Sequence, residues 1–170
     1  MSPIPGRLGS LTARDVMSSD VLVLRDSQPI TEAVQLLKSR RHSGAPVTDS
    51  RGRLVGTFSL RNLTGVKPSS GTTPATTASE MDSSVLSEAA FEKLVKSSMK
   101  DERVCERMTE NAPSVSESAS LIDVARLMYD FHTHRIPVTN VGGELTGIIT
   151  TMDVMAALVH TADEMSSRHE

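Results

Sequence analysis

An α+β fold made of two β-α-β-β-α copies is what this 170-residue sequence predicts. Three observations carry that reading. The first is a repeat without gaps: Pro46-Val47-Thr48 and Pro137-Val138-Thr139 lie 91 residues apart, and so do Met17 and Met108, Ser27 and Ser118, Gly52 and Gly143, Leu54 and Leu145, and Gly56 and Gly147. The second is that each copy alternates short extended runs with one stretch of helical spacing. The third is composition. Hydrophobic residues make up 38% of the chain and aromatics 2%, so the core must be aliphatic. A unit of roughly 50 residues is too small to bury a sheet alone, so the copies should pack together.

The elements follow in order. In copy 1 Val21-Leu22-Val23-Leu24 reads as extended, and Pro29 to Arg40 as an amphipathic helix with Ile30, Val34 and Leu37 on one face. Pro is tolerated in a first helical turn, and Asp26 or Ser27 is placed to cap it. Ala45-Pro46-Val47-Thr48 and Leu54 to Ser59 then form a β-hairpin, with Gly52 in the turn. Copy 2 repeats the series: a strand over Ala112 to Val115, a helix over Leu121 to Phe131, strands at Ile136 to Thr139 and Leu145 to Thr150, and a turn at Gly142-Gly143. A closing helix from Met152 to Met165 carries Val154, Leu158, Ala162 and Met165 on one side. Residues 67–79 are Ser, Thr, Pro, Gly and Ala apart from Lys67 and read as a flexible loop. Leu86, Ala90 and Leu94 with Phe91, Val95 and Met99 then predict an extra helix within 84–100, whose simplest role is to cover core surface. The domains are therefore copy 1 over 11–66, linker and connecting helix over 67–100, and copy 2 over 101–165, with disordered ends at 1–10 and 166–170.

Composition excludes several function classes. A net charge of −3 and 2% aromatics give neither the basic surface nor the stacking platform of a nucleic-acid binder. Cys105 is the only cysteine, so neither an internal disulfide nor a thiolate zinc cage is possible, which fits a reducing, cytoplasmic setting. No apolar run approaches the ~20 residues of a membrane span, and residues 1–10 do not read as a secretory signal. His132-Thr133-His134 with Asp130 is the nearest approach to a metal site, but no general base or supporting partner accompanies it, and no metal is expected. Neither Gly-x-Ser-x-Gly nor Gly-x-x-x-x-Gly-Lys occurs, and Cys105, with Glu106 and Arg107 adjacent, reads as packing or idle and not as a nucleophile, so the chain does not read as an enzyme.

The chemistry concentrates where the last strand of each copy turns into a helix. Copy 1 reads Gly56-Thr57-Phe58-Ser59-Leu60-Arg61-Asn62 there, and copy 2 reads Gly147-Ile148-Ile149-Thr150-Thr151-Met152-Asp153. A helix N-terminus offers unsatisfied N–H groups and the positive end of the helix dipole, which favour phosphate. A carboxylate beside it can accept from both hydroxyls of a ribose diol through charge-assisted bonds of about 1.5–3 kcal/mol each. Thr-x-x-Asp is also a capping pattern. The two roles are compatible, and the spacing alone leaves both open.

These two heptapeptides, each beginning ten residues after the proline of a Pro-Val strand, resemble the Gly-x-x-Thr/Ser-x-x-Asp turn of tandem CBS domains, the Bateman module. The resemblance spans about Leu11 to Ala162 apart from the linker. It implies two interlocked sheets related by a pseudo-two-fold axis, with a cleft for an adenine nucleotide beside each repeat. His134-Arg135-Ile136-Pro137-Val138 is similar to the His-Arg-Leu/Ile-Pro-Val element of the gamma subunit of AMP-activated protein kinase, where the His-Arg pair reaches nucleotide phosphates. The implied contacts are Thr150, Asp153, His134, Arg135 and Pro137 in copy 2, and Ser59, Asn62, Arg41, His42 and Pro46 in copy 1. Copy 1 departs from the pattern: Asn62 replaces the acid, which weakens that site by about 1–1.5 kcal/mol, and its cations are displaced toward the N-terminus. Four repeats make the kinase subunit's disc and this chain has two, so two chains would complete one, with helix faces from Leu63 and Val154 in contact. The function implied is a regulatory module that binds AMP, ADP, ATP or another adenosyl ligand and modulates a partner enzyme or kinase. The alternative is a scaffold or dimerisation unit whose clefts stay empty.

Overall fold

A computed structural model describes residues 6–63 and 88–167. The loop expected over 67–79, Leu86, and the outermost ends lie outside the described residues. In chain order the elements are a 3-10 turn (Gly6–Ser10), α1 (Ala13–Val16), β1 (Leu24–Arg25), α2 (Ile30–Ser39), β2 (Gly44–Thr48), β3 (Leu54–Ser59) and a 3-10 turn (Leu60–Leu63). There follow α3 (Glu88–Ser98), α4 (Val104–Arg107), β4 (Thr109–Glu110), β5 (Val115–Ser116), α5 (Leu121–Asp130), β6 (Arg135–Thr139), β7 (Leu145–Thr150) and α6 (Thr151–Ser166). The α+β class and the repeated unit are as expected. Both first strands are shorter than the sequence suggests.

The chain divides into two compact units that do not coincide with the two repeats. One comprises Met1–Leu22, Ser50–Leu54 and Asn111–Glu170; the other comprises Val23–Asp49 and Val55–Glu110. Each unit joins the body of one repeat to the segment that leads into the other. In the unit holding copy 1 the sheet runs β1-β2-β3-β4, with β1 parallel to β2 and β4 antiparallel to β3. In the unit holding copy 2 it runs β5-β6-β7, and Ser18 bridges Ile148 at the place β4 takes in the other sheet.

The lead-in segments are held in the same way. In one unit Val104 N–H donates to Gln28 O, Cys105 N–H to Asp26 O, and Ile30 N–H to Glu102 O. In the other, Ala13 N–H donates to Ala119 O, Arg14 N–H to Glu117 O, and Leu121 N–H to Leu11 O, each atom displaced by the repeat offset. Side-chain bonds add to both. In the α4 lead-in Glu102 takes Arg107 in a two-pronged pair at 2.6 and 3.0 Å, and Arg103 donates to Ser27 O at 2.6 Å. In the α1 lead-in Thr12 Oγ1 donates to Asp15 Oδ2 at 2.8 Å, and Arg14 lies 3.9 Å from the Glu117 carboxylate. The register positions of Glu102 and Arg107 in the other lead-in are Leu11 and Val16.

Two of the repeated glycines sit where these segments cross. A Cβ on Gly56 would lie 2.5 Å from Thr109 O, and one on Gly147 would lie 2.5 Å from Met17 Sδ and 3.0 Å from Ser18 O. Gly52 and Gly143, both at φ 79°, have a different reason: their hairpin turns need a left-handed residue.

Apolar burial is aliphatic, as the composition requires. Ala13, Val124, Met128, Ile136, Val138 and Ile149 form the buried cluster of one unit, against which Val16, Met17, Val115 and Val154 pack. In the other, Leu24, Ile30, Leu37, Val47, Phe58 and Val104 are buried. Full burial of each such aliphatic side chain is worth roughly 1.5–3 kcal/mol.

Both repeat helices stop through one device. Past α2, Arg41 N–H donates to Lys38 O and His42 N–H to Leu37 O; past α5, His132 N–H donates to Tyr129 O and Thr133 N–H to Met128 O. These are Schellman motifs, in which a residue at positive φ turns the chain out of the helix. Arg41 (φ 55°) and His132 (φ 50°) fill a place usually taken by glycine.

The helix starts bring a correction. Neither Asp26 nor Ser27 caps α2: Pro29 is the N-cap residue and supplies no side-chain bond, while Asp26 Oδ1 accepts from Ser27 N–H. The fixed proline φ starts this helix. At α5 the cap is Ser120, whose Oγ accepts from Asp123 N–H at 3.1 Å.

A second correction concerns α6. Leu158 and Ala162 are exposed, and the buried residues are Ala157 and Thr161, with Val154 packed against the core cluster. Thr161 can be buried because its hydroxyl donates to Ala157 O at 2.8 Å. That shifts the inward face by a residue and leaves Met152, Met155, Leu158 and Val159 exposed.

Candidate functional site

In copy 2 the end of β7, the start of α6 and the start of β6 converge. Arg135 and Thr150 are register partners across the β6–β7 pair. The first N–H of α6, on Thr151, donates to His134 O at 3.0 Å. The Thr151 hydroxyl lies 3.5 Å from His134 Nδ1. His134, Arg135, Thr150 and Asp153 are thus gathered at one corner, with the histidine and arginine side chains exposed and the other two half-buried. Pro137 is buried in β6, so its role is to shape the strand that carries Arg135.

Asp153 caps α6. Its Oδ2 accepts from Thr150 N–H at 2.7 Å and from Thr150 Oγ1 at 2.8 Å, while its own N–H donates to Thr150 Oγ1 at 3.3 Å. The same construction occurs at Thr12 with Asp15 and at Ser120 with Asp123. The pattern alone is therefore a helix cap. As at Thr12–Asp15, both capping bonds at residues 150–153 end on Oδ2, which leaves Asp153 Oδ1 without a hydrogen bond among the described residues; what sets this corner apart is the strand-paired arginine alongside. A half-buried carboxylate with one oxygen unspent is a ready acceptor for a hydroxyl pair.

The copy 1 corner is built on the same backbone and differs in its side chains. Leu60 N–H donates to Ser43 O at 3.0 Å, the counterpart of the Thr151–His134 bond. Asn62 Oδ1 accepts from Ser59 N–H at 2.7 Å and from Ser59 Oγ at 2.9 Å. Its Nδ2 donates to Thr109 Oγ1 at 3.1 Å, and Asn62 is only 9% exposed. Arg41 and His42 are exposed on the turn that ends α2, at the register positions of His132 and Thr133. Pro46 is buried in β2. The register position of Arg135 is Gly44, where a Cβ would lie 2.8 Å from Phe58 O and 3.0 Å from Ser59 Cβ.

Sequence reasoning did not single out Thr109 or Gly44. The repeat offset points to both, since it sets Thr109 opposite Ser18 and Gly44 opposite Arg135. Among the described residues no group of three or more His, Cys, Asp or Glu is placed to hold a metal ion, and no helix is long and apolar enough to cross a membrane.

Comparison with known proteins identifies the family and the fold. The CBS domain family profile matches residues 13–68 and 102–160. The chain is similar to two chloroplastic CBS domain-containing proteins of Arabidopsis thaliana. It is 29% identical to CBSX2 over 165 residues, 95% of this chain and 69% of the relative. To CBSX1 it is 32% identical over 155 residues, 89% of this chain and 65% of the relative. It thus spans about two thirds of these relatives' lengths. The crystal structure of CBSX2 in complex with AMP superposes with a TM-score of 0.63 at 27% identity, covering 88% of this chain and 96% of that one.

Proposed function

The chain belongs to the CBS domain family, and we propose that it is a regulatory module that binds an adenosyl ligand, AMP, ADP or ATP, and passes that state to a partner protein. The observation that carries the reading is the copy 2 corner: Asp153 Oδ1 unspent beside Thr150, with Arg135 in strand register and His134 at the first N–H of α6. In this reading Asp153 takes the ribose hydroxyls, Arg135 clamps phosphate in two-pronged fashion, and His134 adds a further donor. Pro137 holds the strand in place. The copy 1 set is Ser59, Asn62, Arg41, His42 and Pro46, in which the amide of Asn62 stands in place of the carboxylate. The relative CBSX2, solved with AMP, supports the ligand class. The chain acts by binding and not by catalysis.

The chain is further proposed to pair with a second copy of itself through the exposed apolar face of α6, formed by Met152, Met155, Leu158 and Val159. A concentration-independent mass near 18 kDa in light scattering would contradict the pairing.

The second reading, a scaffold with empty corners, draws support from the completeness of the Thr150–Asp153 cap, which needs no ligand. Thermal melting separates the two. A ligand at 100 times its Kd adds about 2.7 kcal/mol, which for a chain of this size raises Tm by about 5–10 °C. A chain that melts unchanged with AMP, ADP, ATP and adenosine is a scaffold.

A further inference from the structure

We infer that the copy 1 corner is a polar lock closed to phosphorylated ligands, so that the folded chain takes one nucleotide and takes it at copy 2. The inference rests on the nucleotide-binding reading above and adds to it stoichiometry and the residues that set it. Three observations bear on it. The polar atoms of the Asn62 side chain are all engaged: Oδ1 accepts twice from Ser59, and Nδ2 donates to Thr109 Oγ1. Asp153 in the matching place keeps one oxygen unspent. Asn62 is also nearly buried, whereas Asp153 is half-buried.

The second difference lies across the strand pair. Phosphate at copy 2 has Arg135, but its register counterpart is Gly44, and the carbonyl of Phe58 stands where even a Cβ would go. Arg41 and His42 sit three and two residues earlier, on the turn out of α2, and do not replace it. The copy 1 corner therefore lacks both the anionic acceptor for a ribose diol and the strand-borne cation for a phosphate.

What the corner does instead follows from Thr109. This residue lies on β4, in the lead-in to copy 2, and pairs with Thr57 of β3. The chain Ser59–Asn62–Thr109 ties β3, the following 3-10 turn and the exchanged segment by side-chain bonds. In the other lead-in the same position is Ser18, and neither Asp153 oxygen accepts from it. Thr109 is thus the residue that turns a binding corner into a structural one.

Isothermal titration with AMP and with adenosine, alongside thermal melting of the same samples, tests this. The wild-type chain should take one AMP. Arg135→Ala should weaken AMP about tenfold while changing adenosine less than twofold, and Asp153→Asn, which keeps a capping oxygen, should weaken both. Thr109→Val should lower Tm and leave the AMP titration as in wild type. The double variant of Asn62→Ala with Thr109→Val should melt no lower than the worse single one, because both cut the same bond. Two AMP per chain, or a Thr109→Val chain whose AMP affinity falls as far as that of Asp153→Asn, overturns the inference and leaves the nucleotide reading standing. Additive losses of Tm in Asn62→Ala and Thr109→Val overturn the lock. A wild-type chain that takes no AMP overturns the reading itself, and the one-nucleotide claim with it.

Discussion

Alanine at Gly56 should be far more damaging than alanine at Gly147, although the two glycines are repeat equivalents. A Cβ at Gly56 would meet a backbone atom, Thr109 O, at 2.5 Å. That carbonyl belongs to a residue paired with Thr57, next to the pairing of Gly56 with Glu110, so moving it breaks the short β3–β4 ladder. Overpacking of this kind costs about 1–3 kcal/mol, and each ladder bond lost adds about 1 kcal/mol. The lower conformational entropy of an unfolded alanine chain returns about 0.5–1 kcal/mol. The net loss is about 3 kcal/mol, or roughly 6–12 °C in Tm for a chain of this length. At Gly147 the nearest atoms are Sδ and Cγ of Met17, at 2.5 and 2.9 Å, and that side chain can rotate away, while the backbone atom Ser18 O, at 3.0 Å, needs to give only a few tenths of an ångström. The expected loss there is about 1–1.5 kcal/mol.

Met17→Ala should recover part of the Gly147→Ala loss and none of the Gly56→Ala loss. Melting followed by circular dichroism on the two single variants and their combinations with Met17→Ala reads all of this. A Gly56→Ala chain within about 2 °C of wild type, or strict additivity of Gly147→Ala with Met17→Ala, would refute the claim that exchanged lead-ins dictate these glycines.

Other outcomes follow from the same geometry. Arg41→Gly and His132→Gly should each stabilise the chain by about 0.5–1 kcal/mol in chemical denaturation, because glycine carries no Cβ penalty at positive φ. Ser120→Ala should cost about 1 kcal/mol by removing the cap of α5, whereas Ser27→Ala should cost almost nothing, since Ser27 caps no helix. The Arg107 guanidinium, through its hydrogen bonds, holds the Glu102 carboxyl below its ordinary value. A carboxyl with a lowered folded pKa contributes stability above its unfolded value and loses it as pH falls through the folded one. Acid titration of stability should therefore show a loss below about pH 4.5 that Glu102→Gln removes, at a cost near 1 kcal/mol at neutral pH.

The sequence carried the repeated unit with little ambiguity, because Pro-Val-Thr, the turn glycines and the strand-to-helix corner all obey one offset. It also carried β7 to the residue and both helices to within a residue or two, since Pro29 and the ends at Arg40 and Phe131 mark real boundaries. It did not carry the exchange of lead-in segments. A shared offset says that Met17 and Met108 play the same part, but not that each crosses the glycine of the opposite copy; that depends on contacts far apart in the chain.

The inward face of α6 lies a residue away from the one its apolar spacing predicts, because Thr161, polar by type, is buried. The bond to Ala157 that lets it be buried is visible only in three dimensions. At the corners the residue types were legible, and so was the capping alternative for Asp153. The engagement of Asn62 was not, because Thr109 is 47 residues away in sequence.

Binding of AMP at the copy 2 corner is tested most directly by calorimetric titration of wild type against Asp153→Asn. Losing one charge-assisted bond should weaken binding about tenfold, equal to about 1.4 kcal/mol, with the melting temperature of the free chain nearly unchanged. Equal affinity in the two proteins would mean that Asp153 is a helix cap and nothing more.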